Sequence, residues 1–288
     1  TVSTWSTAKR MASFLGSHRK TVAIAALTGL IGHLLSTASV MLATASVYSG
    51  FTGSRTVSIV TGILAAVSAL ARGSFSYREQ YFNHESAFGI LRDVRVAAFN
   101  HVRTLSPAGL TGQGRGNLVA VLTEDIELLE VFYAHTLSPL MIAVGNGLIM
   151  TILLACINPF LGLMAFVSYL ILGLLLPSCF ASETAGKAYA ERQAQGRMHT
   201  KILDYLDGKN TLLQFNATPR AYEDVMQEGR KMMSERAAAT GYRLLNVSLA
   251  DVISLILLAA FSLRAGLLAL AGTVNPIGCL MAVVGFAT

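Results

Sequence analysis

The chain has 288 residues, of which 53% are hydrophobic and 13% charged, with a formal charge of +6. Soluble domains carry about 25% charged residues, and here the charges return in blocks between long uncharged stretches. That pattern excludes an ordinary soluble domain and fits a chain alternating between lipid and water. The basic excess is therefore read through membrane topology and not as a nucleic-acid surface.

A basic segment, 1–20, comes first. The apolar stretch after Lys20 has the length of a full span and not that of the short apolar core of a cleavable leader. Spans need about 20 apolar residues. The first is expected over about 21–48, holding one histidine, His33. After a polar turn at 50–55 the second opens at Thr56, its apolar run ending at Ala71 and the span at about 76. The third covers about 137–157 and the fourth 160–181, with only Asn158-Pro159 between them, a tight turn signal. The fifth covers about 244–270, interrupted by Asp251 and Arg264. A sixth opens at Pro276, a residue suited to a first helical turn, and its apolar run is still open at Thr288. Both ends of the chain look cut.

Cys156, Cys179 and Cys279 each sit in an apolar run with no metal or redox spacing. Buried, inert thiols are expected.

The connections form two sets. The short set is 50–55, 158–159 and 271–275. The long set is 72–135 and 182–243. Of the 22 Lys and Arg residues, only Arg55 and Arg264 lie near the short set. Basic loops stay cytoplasmic, which places the N-terminus and both long connections in the cytoplasm. The long connections read as helix. The stretch 76–105 sets Phe88, Leu91, Val94, Phe99 and Val102 on one stripe. The stretch 182–206 carries the favoured i,i+4 pair Glu183/Lys187, and 222–243 has the same character. Twenty-five such residues reach about 37 Å beyond the membrane. The helices reverse at Ser106-Pro107 and at Asp207-Gly208, and each reversal encloses a short amphipathic stretch, 117–122 and 209–215.

Six long helices with two tip helices resemble the transmembrane domain of a type I ABC exporter. The string GNLVAVLTED from Gly116 to Asp125 is similar to that family's first coupling helix, through Gly116, Leu118 and Asp125. The string LDGKNTLLQF, ending at Phe215, is similar to the second, through Gly208 and Phe215. A narrower resemblance is carried by Tyr77-Arg78-Glu79, Asn83-His84-Glu85, Phe88 and Leu91, with the run LSPAGL from Leu105 and Tyr133…Leu137-Ser138-Pro139. These look like the CydC-like subunit of the bacterial cytochrome bd-assembly (CydDC) exporter. Ser76, Gln80 and Ala120 stand where that family's motifs have arginine.

The resemblance implies an all-α, six-helix ABC exporter membrane domain in the bacterial cytoplasmic (inner) membrane. It implies a CydD-like second half-transporter, a nucleotide-binding domain beyond Thr288 using ATP and Mg, and a thiol or haem-related cargo, with haem b linked to the histidine of the motif. Residues 1–288 contain no Walker A motif, and no catalytic residue is expected in them. The Gly114–Gly116 pair has neither the preceding strand nor the following Gly-Lys-Ser/Thr of a phosphate loop.

His84 lies about 42 Å along the second helix from its outer start, a place for an axial haem ligand or for a plain surface imidazole. Arg72 and Arg78 lie one to three turns above it, placed to meet haem propionates by charge-assisted hydrogen bonds, with Tyr77 and Glu79 in the same motif. Arg72, at or near lipid depth, faces a cavity or partner or snorkels to the headgroups, and Asp251 poses the same choice. His33 faces a pathway or bonds within the bundle. Glu124, Asp125 and Glu127 read as an acidic helix start and not a metal site. The expected function is the membrane half of an ATP-driven exporter of thiols or haem. A multidrug or lipid exporter is the alternative, and an ATP-independent transporter or channel a second.

Overall fold

The computed structural model describes residues 15–105 and 126–288, and the described residues are helical with no strand. A 3₁₀ turn, Gly16–His18, leads into α1 (Arg19–Phe51), followed by α2 (Arg55–Leu105), α3 (Ile126–Phe132), α4 (Ser138–Ile157), α5 (Pro159–Leu170), α6 (Leu176–Asp207), α7 (Lys209–Gln214), α8 (Thr218–Leu270) and α9 (Pro276–Ala287). Five helical stretches are long and apolar enough to cross a membrane, and α9 is a shorter apolar helix. The first tip stretch, 117–122, with Gly116, Leu118, Glu124 and Asp125, lies outside the described residues.

Two π-helical segments carry the chain through continuous helix. Tyr133–Leu137 joins α3 to α4, and Ile171–Leu175 joins α5 to α6. Each ends two residues before a proline, Pro139 and Pro177. A proline ring inside a helix clashes with the carbonyl four residues back and removes a donor. Widening the preceding turn by one residue moves that carbonyl away from the ring and leaves no carbonyl waiting for the missing donor. The Thr136 hydroxyl donates to the Val131 carbonyl, five residues back, at 3.3 Å. Among the described residues the third helical stretch thus already runs at Ile126, well before the span start expected at 137.

The chain divides into two units, one of residues up to Ala165 with Arg264–Thr288, the other Phe166–Leu263. In the first, α1 is the central helix. It packs along α2 in antiparallel register, against α4, and against α9. Small residues set that register. The Ser46 hydroxyl donates to the Ser58 carbonyl at 2.7 Å, Gly62 faces Ser46, Gly32 faces Phe75 and Ser76, and Gly29 faces Glu79 and Ile142. Farther along, His18 meets Asp93 at 2.9 Å. Asn158 caps α5, its Oδ1 accepting from the Phe160 N–H at 3.0 Å. The turn is tight enough that a Cβ on Gly162 would sit 2.6 Å from Ala155 Cα. Asn275 caps α9 by accepting from the Ile277 N–H.

In the second unit α6 and α8 form a hairpin through α7. Gly208 closes α6, its N–H donating to Asp204 O at 3.0 Å. Asn216, at φ 48°, turns the chain out of α7, a conformation that asparagine tolerates better than most residues. The Tyr205 hydroxyl donates to Asp224 at 2.7 Å, Lys201 pairs with Asp224 at 3.7 Å, and Glu191 lies between Arg236 and Arg243. The Tyr205 bond first, then the charges of Lys201 and Arg220, hold the Asp224 carboxyl below its ordinary range.

Three expectations change. Lys187 lies over the Tyr242 ring, 5.5 Å from its centroid, and makes no ion pair with Glu183. A cation across the hairpin finds an aromatic face, and an exposed i,i+4 pair contributes too little to compete. On α2 the buried stripe is Asn83, Ser86, Ala87, Ile90 and Leu91, while Phe88 and Phe99 are exposed. Cys279 is buried, but Cys156 and Cys179 are exposed on apolar helix faces that the chain itself does not cover.

Candidate functional site

The sequence-predicted residues of α2 sit beside α1, which carries no charge from Thr21 to Phe51. Arg72 is one turn before Ser76, and Ser76 faces Gly32. Arg72 is therefore level with the middle of that uncharged run, deeper than its position in the sequence implies. It is exposed on the helix, and a guanidinium at such depth requires water or a partner.

His84 stands lower on the same helix. Its Nδ1 is 3.5 Å from Glu130 Oε1 on α3. Its ring stacks near Phe88 and meets His135 edge-on, with centroids 5.8 and 5.5 Å away. A groove of about 480 Å³ runs beside it, lined by Tyr77, Gln80, Tyr81, His84, Glu85 and Phe88. A second hollow, about 360 Å³, continues past Phe88 to Arg92, Arg95, Glu127 and Glu130. Glu127 lies in the first turn of α3 and pairs with Arg95 at 3.9 Å.

These residues do not fit a haem. The groove beside His84 is one face of one helix. At 100° per residue, Arg78 lies about 240° and Arg72 about 120° around α2 from His84. The imidazole and the guanidiniums that would meet the propionates thus point to different sides. No group of three metal-ligating side chains able to hold an ion is found among the described residues.

Glu79 leaves the His84 face altogether. Its side chain lies in the α1–α2 contact, against Gly29, one helical turn from the level of His33. Asp251 is exposed on α8. Residues the sequence reading passed over include Glu130, His135 and Asn146, whose buried Oδ1, like Asn83 Oδ1 and Ser138 Oγ, has no hydrogen-bond partner. Asparagine in an apolar helix was the available signal. Arg264 lies over the Phe160 ring, 4.8 Å from its centroid.

No family model matches the chain. A probable ABC transporter ATP-binding/permease protein of Haemophilus influenzae is 34% identical over 174 residues, covering 60% of this chain and 32% of that protein. The glutathione/L-cysteine transport system ATP-binding/permease protein CydC of the same organism is 30% identical over 59% of this chain and 29% of its own length. The putative multidrug export ATP-binding/permease protein YgaD of Bacillus subtilis is 22% identical over 67% and 35%. The homologues of this chain are ABC transporter ATP-binding/permease proteins. With five long apolar helices and no strand among the described residues, the chain fits the all-α transmembrane domain of an ABC exporter. The matched stretch is about a third of each relative's length. On α7 of this exporter-type domain, Leu213 and Phe215 are exposed at the end of the hairpin, and Gly208 and Phe215 stand at its two caps.

Proposed function

We propose that this chain is the membrane half of an ATP-driven exporter whose cargo is a small thiol of the cysteine or glutathione class. It works with a second, CydD-like half-transporter in the bacterial inner membrane, with the N-terminus cytoplasmic. The observation that carries the reading is the α6–α8 hairpin, reversed through α7, in a chain whose relatives are ABC permeases. A six-residue helix with Leu213 and Phe215 uncovered supports a docking role toward a nucleotide-binding domain. ATP binding and Mg belong to that domain, and its closure would be carried along two rigid helices into the membrane, as in hinge or rocking transitions. The N-terminus of α3 and the 117–122 stretch would serve the second contact. The cargo rests on the glutathione and L-cysteine transport for which the CydC relatives are named. Haem is no part of the reading, because His84 and the guanidiniums do not share a face.

Likeness to YgaD supports a multidrug exporter as the second reading. Inside-out vesicles containing the full-length protein and its partner decide between them. ATP-dependent accumulation of labelled cysteine or glutathione, unaffected by lipophilic dyes, is the expected result. Accumulation of dyes alone would replace the thiol reading with the multidrug one. Uptake of either without ATP would remove the exporter reading.

A further inference from the structure

Glu79 is a carboxyl group at membrane depth. Gly29, which it faces, lies eight residues inside the apolar run of α1, about 12 Å from Thr21. Its packing is close. A Cβ on Gly29 would sit 2.8 Å from Glu79 Cδ and would strike Ile142 Cδ1. Ile142 is buried on α4, so the carboxyl end is wedged where three helices meet. Among the described residues Glu79 makes neither an ion pair nor a hydrogen bond. An ionised carboxylate with no donor in such a place carries a heavy desolvation cost, which a proton removes.

A second observation points the same way. Asn83 is 3% exposed, and its Oδ1 has no donor. It lies four residues beyond Glu79, on the same face of α2, the spacing at which helical side chains meet. One group lacks a reason to be charged, and its neighbour lacks a hydrogen. A proton on Glu79 answers both, because a protonated carboxyl is a donor.

The ionisable surroundings are sparse. From α1 the ionisable group on that side is His33, exposed one helical turn beyond Gly29. α4 presents no charged side chain, and its sole thiol, Cys156, lies 14 residues beyond Ile142. On α2 itself Arg78 and Glu85 lie about 100° and 120° around the helix from Glu79, while Arg72 shares its face two turns away, about 10 Å along the axis.

We propose that Glu79 is a proton-binding site of the membrane domain, its acid form donating to Asn83 Oδ1, with His33 as the exchange partner. The proton leaves the Glu79 oxygen for an imidazole nitrogen of neutral His33. This gives a carboxylate and an imidazolium, and the pair keeps its net charge.

Infrared difference spectroscopy on the full-length protein with its partner, in lipid vesicles at near-neutral pH, reads the proton directly and needs no cargo. Its failure is therefore separate from failure of the exporter reading. The expected result is a protonated-carboxyl C=O band that shifts on H/D exchange, disappears in E79Q, and moves to higher frequency in N83A. E79D, which keeps the carboxyl, retains a band and guards against loss through misfolding. Absence of the band in the wild type would overturn the proposal, since Glu79 would then be ionised and could not donate to Asn83 Oδ1. A band untouched by E79Q would overturn it equally.

Discussion

Among single residues, close approach decides more than side-chain chemistry. Gly29 has no room for a methyl group, whereas Gly73 has nothing within 4 Å of where one would go. G29A is expected to destabilise the protein by about 1–3 kcal/mol through overpacking, while G73A should be neutral or stabilise by up to about 1 kcal/mol. Thermal melts in detergent compare them, and equal shifts would deny the junction of α1, α2 and α4. Asp224 gives a pH prediction. Its carboxyl is held below the ordinary range by Tyr205 and then by Lys201. The stabilisation is present at neutral pH and is lost as pH falls through the lowered folded value. Y205F should reduce the acid dependence of α6–α8 opening, followed by hydrogen exchange on the hairpin. An unchanged profile would count against the bond. Of the candidate site, His84, Tyr77 and Glu79 were legible as a motif, but their faces were not. A one-letter string carries no rotation, and Glu79 and His84, five residues apart, point to different sides of one helix.

Among the elements, the long helices were readable because the charge blocks keep helical spacing and lack internal prolines. Of the two prolines inside helix, Pro139 was read only as part of a family motif and Pro177 was passed over. The structure shows each following a π segment that absorbs it. Deleting Gly173, which has no close neighbour, would return Ile171–Leu175 to α geometry. Alone, the deletion should cost about 3 kcal/mol, because Pro177 then meets the carbonyl four residues back. Combined with P177A, it should restore near-wild-type stability. A double variant as unstable as the single deletion would contradict this origin of the π turn. The hidden start of the third helical stretch has the same cause. Tyr133 and Ala134 are buried against Ala87 and Ile90, a contact between distant segments that local pattern does not announce.

Across the whole molecule, uncovered apolar surface demands neighbours. One third of the apolar window of α1 is buried, but only 6% of the corresponding windows in α2 and α8. In the proposed assembly, lipid and a second half-transporter would cover those faces. The fold class was legible because composition, span spacing and the two reversals agree with one another. The cargo was not, because in the proposed exporter it depends on which side chains face a pathway that another subunit would complete. The proposed mechanism stands or falls on whether α7 passes ATP-driven motion into the membrane helices. ATP hydrolysis and ATP-dependent uptake, recorded together in inside-out vesicles for wild type and L213D/F215D, put that step to the test. The variant should fold, still hydrolyse ATP, and lose at least about tenfold in uptake, the effect of about 1.4 kcal/mol. Uptake equal to wild type in a variant with both exposed side chains replaced by carboxylates would contradict the coupling role of α7.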